Sequence, residues 1–436
     1  MGSLRRERQY RDDVASRTGW DKENIVPEQY RWFVGIDWAT ESHEICILDA
    51  GGRTVGRRTV EHTGAGIAEL VGYLQQLAAG EPWGLAVGAE TPRGAIIECL
   101  IEHQFHVYSL NPKQMDRFRD RHTVAGAKDD RRDALVIADS LRTDRHLFHK
   151  AYLDDPLVIR IRELSRSEQA IQQQQVRVAN QLRDLLWRYF PQLVKLSPAL
   201  DEPWLWDLLQ LAPLPEKAAR LTRSRMEKLL RSHRIRRLKA EDVIAELKTQ
   251  ALQLAPGAAD ATSEHVLLLL PVLQLLHQQR KQIISRMEAV LAQMAEQEQA
   301  AEHRDLTVLL SMPGAGRVVA ATMLAEASQA LAQRDYHALR SYTGVAPVTR
   351  QSGKHRSTVM RRSCNQRLRN AVYHWSMGSI QHDERSRAHY AALRKKGHSH
   401  PRALRGVADR LLAILMAMLK AGTTYNPRLR SAVTLS

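Results

Sequence analysis

Five acidic residues of this chain have the types and spacing that metal-dependent chemistry requires. Asp37 stands in GIDWA, Glu90 stands in VGAET, and the stretch GAKDDRRDALV carries Asp129, Asp130 and Asp133. In a helix that begins near residue 128, Asp130 and Asp133 are one turn apart and share a face. Neighbouring carboxylates repel one another unless a cation lies among them, and oxygen ligands prefer hard cations such as Mg²⁺ or Mn²⁺. Two such ions promote phosphodiester chemistry by activating the attacking oxygen and stabilising the leaving one.

Each of these acids also has a structural interpretation. Asp129 is a good N-cap, acids in the first turn of a helix stabilise its dipole, and Arg131 and Arg132 could pair with them. We therefore interpret Asp129 as the cap. The predicted metal ligands are the other four acids, Asp37, Glu90, Asp130 and Asp133.

A serine near the C-terminus is the candidate nucleophile. Ser352 precedes a glycine in LRSYTGVAPVTRQSGKHRSTVMRR, and Arg350, Lys354, His355 and Arg356 flank it. A base or concentrated positive charge activates a hydroxyl for attack, and the same cations would hold a phosphate. The alternative is an ordinary Ser-Gly turn. Tyrosines 342 and 373 are further candidate nucleophiles, the second with fewer basic neighbours.

The stretch SMPGAGRVVAATMLAEA places Pro-Gly-x-Gly before an amphipathic helix, as helix-hairpin-helix modules do. Such a turn lets backbone N–H groups approach a phosphate, although an ordinary turn between helices has the same sequence. Together with the basic residues around Ser352, these positions form the predicted nucleic-acid-binding set: Gly314, Gly316, Arg317, Arg350, Lys354, Arg356, Arg361 and Arg362.

Positive charge is concentrated in the same region. The 436 residues include 64 Lys+Arg and 48 Asp+Glu, for a formal net charge of +16. Residues 350–410 hold 15 Lys/Arg and 3 Asp/Glu, which accounts for +12 of that charge. A nucleic acid is the natural partner of such a surface, because each phosphate it neutralises releases counterions. The alternative is a merely solvated basic face.

The elements that must position the acids alternate between strands and helices. Residues 1–30 are polar and are predicted to form a flexible arm, and residues 31–150 read as β-β-β-α-β-α-β-α. This order is that of a ribonuclease-H-like α/β domain, in which the first and fourth strands are neighbours. Asp37 and Glu90 would then meet, with the last helix beginning at the aspartates.

Beyond residue 150 the pattern becomes helical. Apolar residues recur every seven positions in two runs of the 151–303 region, which predicts long helices paired as a coiled coil, within or between chains. A proline-rich helical insert is predicted at about 200–262, and a mostly helical domain at 304–436.

The three cysteines, Cys46, Cys99 and Cys364, are widely spaced, which favours a reducing compartment over a disulfide framework or a zinc site. The first residues lack an apolar signal core, and no uninterrupted apolar stretch approaches the length of a membrane span. We expect a cytoplasmic protein that does not enter a membrane.

Taken in order, GIDWA, VGAETPRG, KDDRRDA, SMPGAG, YTGVAPVTRQSGKHRS and AGTTYNP resemble the DEDD-type transposases of bacterial insertion sequences. The resemblance spans roughly residues 31–428. These are the recombinases that an element-encoded bridge RNA directs to their targets. The resemblance implies a RuvC-like N-terminal domain, a coiled-coil middle and a C-terminal transposase domain with a serine nucleophile.

Matched position by position, the family's acids fall on Asp37, Glu90, Asp130 and Asp133, and its serine falls on Ser352. Asp129 stands where relatives usually have Thr or Ser. The resemblance further implies donor and target DNA as substrates, a phosphoserine intermediate, Mg²⁺ or Mn²⁺, and a homo-oligomer from dimer to tetramer. The acidic site would be assembled beside the serine of another subunit.

Three other functions fit parts of the sequence. A RuvC-type junction endonuclease would use the acids without the serine. An actin-like kinase has G-I-D-x-x-T, as residues 35–40 do, but needs a glycine where Ala39 stands. A non-catalytic nucleic-acid scaffold would need the basic surface alone.

Overall fold

The fold is described from a computed structural model, which covers residues 30–90, 94–122, 129–152, 154–300, 305–353 and 355–427. The chain divides into two compact units, Met1–Leu153 and Asp154–Ser436. Nearly all of the predicted arm lies outside the described residues. Tyr30, its last residue, is buried in the N-terminal unit and its hydroxyl lies 2.9 Å from that of Tyr108.

The N-terminal unit is built on one mixed sheet. Its six strands are β1 (Trp32–Asp37), β2 (Ser42–Asp49), β3 (Thr54–Glu61), β4 (Leu85–Ala89), β5 (His106–Ser109) and β6 (His149–Lys150). They lie in the order β3-β2-β1-β4-β5-β6. Strands β1, β4 and β5 are parallel, while β2, β3 and β6 pair antiparallel to their neighbours.

Four helices cover this sheet. They are α1 (Gly64–Leu77), α2 (Ala95–Glu102), α3 (Pro112–His122) and α4 (Asp130–Asp144). Apolar side chains of α1 and α2 pack with Val34 and Ile36 of β1, and those of α3 and α4 pack with Phe33 in a second cluster. Since successive residues of a strand face opposite sides, the two clusters lie on opposite faces of the sheet. The predicted mixed α/β unit is confirmed, and the structure adds α3 and β6.

Helix α4 lies unusually close to the sheet because two glycines face it. Gly35 of β1 and Gly88 of β4 are partners in the parallel register. A Cβ on Gly35 would lie 2.0 Å from the carbonyl oxygen of Ala134, and one on Gly88 would lie 2.9 Å from Ile137 Cγ2. Any larger side chain at Gly35 would push α4 away, and the acids at the start of α4 would move with it.

The second unit is mostly helical, as predicted. Its helices begin with α5 (Pro156–Tyr189), α6 (Pro191–Leu196), α7 (Pro203–Leu211), α8 (Pro215–Ala219), α9 (Arg223–Ser232), α10 (Ala240–Leu247) and α11 (Ala258–Ala300). They continue with α12 (Asp305–Ser311), α13 (Arg317–Glu326), α14 (Ser328–Ala332), α15 (Tyr336–Tyr342), α16 (Gln366–His382), α17 (Glu384–Lys395) and α18 (His400–Ala421). A hairpin of β7 (Val348–Ser352) and β8 (His355–Val359) lies between α15 and α16.

The two longest helices, α5 and α11, pack against each other. Glu168 and Gln175, which dilute the heptad pattern of α5, are both buried, and Glu168 Oε1 accepts a 2.7 Å hydrogen bond from Arg280 Nε of α11. The contact between these helices thus contains a charged pair that the apolar periodicity could not show. By length and composition alone, α11 is one helix of the described chain that could cross a membrane, although a third of its most apolar window is buried in the protein.

We predict that Gly35→Ala lowers the free energy of unfolding by about 3 kcal/mol, because overpacking of a rigid contact costs this much. The control is Gly72→Ala in α1, where an added Cβ meets nothing within 4 Å. That change should raise stability by up to about 1 kcal/mol through helix propensity. Urea unfolding of the full chain measures both, and equal stability of the two variants would refute the packing argument.

Candidate active site

Two of the predicted acids lie at the same edge of the sheet. Asp37 is the last residue of β1, and Glu90 directly follows β4. Because β1 and β4 are parallel neighbours, their carboxyl ends coincide. Strand alternation places both residues on the face that α4 covers, two positions after Gly35 and Gly88 respectively.

The start of α4 separates the three aspartates by environment. Asp129 is the N-cap, and its side chain accepts a hydrogen bond from the Arg131 backbone N–H at 3.2 Å, as predicted. Asp130 is exposed, whereas Asp133 is 4% exposed and faces the sheet beside Ala134. Only one of the two predicted ligands on this helix is therefore buried against the strands.

An arginine of α3 joins Asp133 to Glu90. Arg119 Nε and Nη2 donate to the two carboxylate oxygens of Asp133 at 2.7 and 3.1 Å. The same Nη2 donates to Glu90 Oε1 at 3.1 Å, and Nη1 donates to Asp116 Oδ1 at 2.8 Å. One guanidinium thus serves three carboxylates, with a fork geometry that suits a bidentate partner.

The charge of Arg119 is held firmly by these partners. Burial by itself would lower the pKa of the guanidinium, but the hydrogen bonds and negative charges of Asp133, Glu90 and Asp116 outweigh burial and raise the pKa above its ordinary value. Arg119 is therefore a permanent cation within the acidic site.

A further carboxylate lies beside the predicted set. Glu44 of β2 is the direct partner of Asp37 in the antiparallel register. Its Oε1 accepts a 2.6 Å hydrogen bond from the Thr59 hydroxyl, and its Oε2 lies 3.8 Å from Arg131 Nε. Glu44 is thus anchored to β3 and to the start of α4.

The acids have the donor chemistry that Mg²⁺ or Mn²⁺ prefers, and a cationic group already bridges two of them. Within the residues that the structure describes, however, no three side chains of Asp, Glu, His or Cys are grouped closely enough to hold a metal ion. The structure thus brings Glu90 and Asp133 together through Arg119, aligns Asp37 with Glu44, and leaves Asp130 on the surface.

The candidate nucleophile stands at the end of a strand. Ser352 is exposed, ends β7, and is the direct register partner of His355 across the hairpin. Gly353 follows with φ +55°, a backbone conformation that favours glycine in a tight turn. Arg350 shares the face of Ser352, whereas Arg356 is the partner of Gln351 and lies on the other face. Lys354 lies outside the described residues.

The remaining predicted nucleic-acid contacts differ in their surroundings. Arg361 Nε donates to the Ala346 carbonyl at 3.3 Å, and Arg317 pairs with Glu288, while Arg362 is exposed. Arg361 and Arg362 are adjacent after β8, whereas Arg317 begins α13. Arg317 and Arg362 are both exposed, and of these three side chains only that of Arg362 lacks a partner within the described part of the chain.

The Pro-Gly-x-Gly turn has a structural role at its first glycine. A Cβ on Gly314, whose φ is +76°, would lie 2.3 Å from the backbone nitrogen of Ser379 in α16. Gly316 caps α13, and a Cβ there would meet nothing within 4 Å. Close helix packing therefore explains Gly314, while Gly316 leaves the N-terminus of α13 accessible.

Sequence reasoning missed Arg119 and Glu44. Helix α3 is short and strongly charged, and nothing in the stretch PKQMDRFRDRH marks one arginine among several basic residues. Glu44 could have been found from the sequence, because it lies two residues before Cys46 and therefore shares the buried face of β2 with Cys46 and Leu48.

Comparisons with known proteins match both candidate regions to family models. A family model for DEDD transposases of the IS110 type, described as "Transposase", matches residues 34–191, and one described as "Transposase IS116/IS110/IS902 family" matches residues 306–391. The first match contains all the acids, and the second contains Ser352.

Relatives support the same assignment over most of the chain. A Sinorhizobium fredii protein named "Putative transposase y4uE" is 44% identical over 235 residues, which cover 54% of this chain and 64% of that protein. The Streptomyces coelicolor protein named "Mini-circle putative transposase for IS117" is 32% identical over 391 residues, 88% of this chain and 92% of that protein. The chain belongs to the IS116/IS110/IS902 family of insertion-element transposases.

Proposed function

We propose that this transposase cuts and rejoins DNA strands through a covalent phosphoserine link at Ser352. The observation that carries the proposal is the position of this serine, exposed at the end of β7 and directly opposite His355. The His355 imidazole and the Arg350 guanidinium lie on the same hairpin face as Ser352, and a base and a cation are the groups that a phosphoryl-transfer nucleophile needs.

The proposed reaction exchanges one phosphoester bond for another and needs no oxidant or reductant. Ser352 Oγ forms a bond to phosphorus, its hydroxyl proton passes to a base, and the bond between phosphorus and one deoxyribose oxygen breaks. That oxygen takes up a proton and leaves as a DNA hydroxyl. His355 is the group we assign to the proton, and Arg350 would hold the phosphate oxygens. Rejoining is the reverse reaction with a different DNA hydroxyl.

We assign Asp37, Glu90, Asp130 and Asp133 to a divalent metal site for Mg²⁺ or Mn²⁺. When bound, the ions would stabilise negative charge on the phosphate and on the attacking and leaving oxygens. The sheet order β3-β2-β1-β4-β5 supports a ribonuclease-H-like, RuvC-like unit, in which such acids gather at the ends of adjacent strands.

We further propose that an element-encoded bridge RNA supplies sequence recognition for donor and target DNA. The basic stretch at 350–410 supports contact with phosphate backbones, and backbone contacts carry no sequence information of their own. Guidance by base pairing would leave the protein to recognise helix shape. Paired α5 and α11 helices would form the coiled coil of a dimer or tetramer, in which the acidic site of one subunit serves the serine of another.

The alternative function is a RuvC-type endonuclease that hydrolyses DNA junctions with metal alone. The observation that favours it is that Glu90 and Asp133, which share hydrogen bonds from Arg119, both lie in the N-terminal unit, whereas Ser352 belongs to the other unit. It would release free DNA ends with no protein attached.

Replacement of the nucleophile should separate these functions. Ser352→Ala should abolish a protease-sensitive protein–DNA adduct on a suicide substrate, because no hydroxyl remains to form the phosphoester. Ser357→Ala is the matched control, since Ser357 shares the same hairpin face and should be dispensable. Denaturing gels measure the adduct, and an adduct in Ser352→Ala would show that another residue attacks.

Alanine replacements of Asp129, Asp130 and Asp133 should have different effects on DNA cleavage. Asp130→Ala and Asp133→Ala should abolish strand cleavage in Mg²⁺, because each removes a proposed ligand. Asp129→Ala should retain cleavage and lose about 1 kcal/mol of stability, the usual effect of a lost N-cap. Cleavage assays and urea unfolding give both quantities, and cleavage by Asp130→Ala but not by Asp129→Ala would reverse the assignment.

Guidance by RNA has its own test. The protein, expressed with its native flanking DNA, should copurify with one structured RNA encoded beside its gene. Sequencing the bound RNA after a high-salt wash identifies it, and the same expression without the flanking DNA is the control. A preparation that cleaves and rejoins DNA with no such RNA would contradict guidance and leave the recombinase proposal intact.

A further inference from the structure

We infer that Arg119 is an internal counter-cation that must leave Asp133 and Glu90 before a divalent metal ion can bind there. This inference rests on the proposed metal site. In the described arrangement the guanidinium holds the two carboxylates together and competes with an ion for their oxygens.

Arg119 already uses the carboxylate oxygens that a metal ion would need. Both carboxylate oxygens of Asp133 accept from the guanidinium, and Glu90 Oε1 accepts from the same Nη2. Asp133 is buried, so few other groups can reach its oxygens. A metal ion bound by Asp133 and Glu90 would lie beside the guanidinium, and like charges in a half-buried site repel strongly.

Asp116 offers the guanidinium of Arg119 an alternative partner at the surface. Asp116 lies one turn before Arg119 on α3, and its carboxylate already accepts a 2.8 Å hydrogen bond from Arg119 Nη1. Asp116 is largely exposed, with 71% of its side chain accessible. The arginine can therefore rotate toward solvent while it keeps this partner, and the core contacts of Met115 and Phe118 keep α3 in place.

Displacement of Arg119 should lower the affinity of the site for a metal ion. A site that must first release an internal cation binds metal more weakly than the same carboxylates would without it, because only the open fraction of molecules is competent. Arg119 thus positions the acids and sets their metal affinity. It is not assigned any contact with the reacting atoms.

The test compares Mn²⁺ binding by the nucleic-acid-free, full-length protein and two variants, with free Mn²⁺ measured by electron paramagnetic resonance. Arg119→Gln should bind Mn²⁺ at least about tenfold more tightly than the unmodified protein, within the usual range of coupling between sites. Arg117→Gln is the matched control, because Arg117 is exposed on the same helix and its change removes the same charge. It should leave the affinity unchanged within about twofold.

Two further variants make the result decisive. Arg119→Lys keeps the charge but loses the fork, so it should bind Mn²⁺ more tightly than the unmodified protein and less tightly than Arg119→Gln. Its comparison with the unmodified protein still tests the inference if Arg119→Gln fails to fold. If Arg119→Gln and Arg119→Lys bind Mn²⁺ no more tightly than the unmodified protein does, the inference is wrong.

Adding Asp133→Asn to Arg119→Gln should abolish the tightened binding. If the unmodified protein binds Mn²⁺ through Asp133 but the arginine variants do not bind it more tightly, the metal site stands and the inference about Arg119 falls. If no variant shows Mn²⁺ binding that depends on Asp133, the proposed metal site itself is wrong.

Discussion

The position of α4 against the sheet is the constraint on which the acidic site depends. Only glycine fits at residue 35, because the Ala134 carbonyl occupies the space where a Cβ would lie. Gly88, its neighbour on β4, extends the same close contact. The contact fixes the height and rotation of α4, and Asp133, adjacent to Ala134, is thereby placed among the strand ends. A steric requirement of the backbone thus decides where a carboxylate stands.

Electrostatic balance follows from that placement. A buried carboxylate is costly without a partner, and Arg119 provides one with two parallel hydrogen bonds to Asp133. The cations of the C-terminal hairpin are in the opposite situation, since Arg350 and Arg356 are exposed and open to an external polyanion. Asp133 and Glu90 are therefore compensated within the fold, whereas these two hairpin arginines keep their charge at the surface.

The helical unit illustrates why periodicity is an incomplete guide. Apolar spacing predicted long helices correctly, but the buried face of α5 also contains Glu168, which pairs with Arg280 of α11. A buried ion pair is satisfied only when both helices are in place, so neither residue signals burial in its own segment. The tight packing of Gly314 against Ser379 likewise cannot be predicted from either segment alone, because the two residues are distant in sequence.

The sequence by itself determined the alternation of strands and helices, the helical second unit, the Asp129 cap and the family. These features rest on local spacing, turn chemistry and motif order, which are readable along the chain. Only the tertiary structure decided that Arg119 bridges Glu90 and Asp133, that Glu44 faces Asp37, and that Asp130 is exposed. These depend on which faces of β1, β2, β4, α3 and α4 meet. Contacts between segments far apart in the chain are fixed by packing, and no local pattern encodes them.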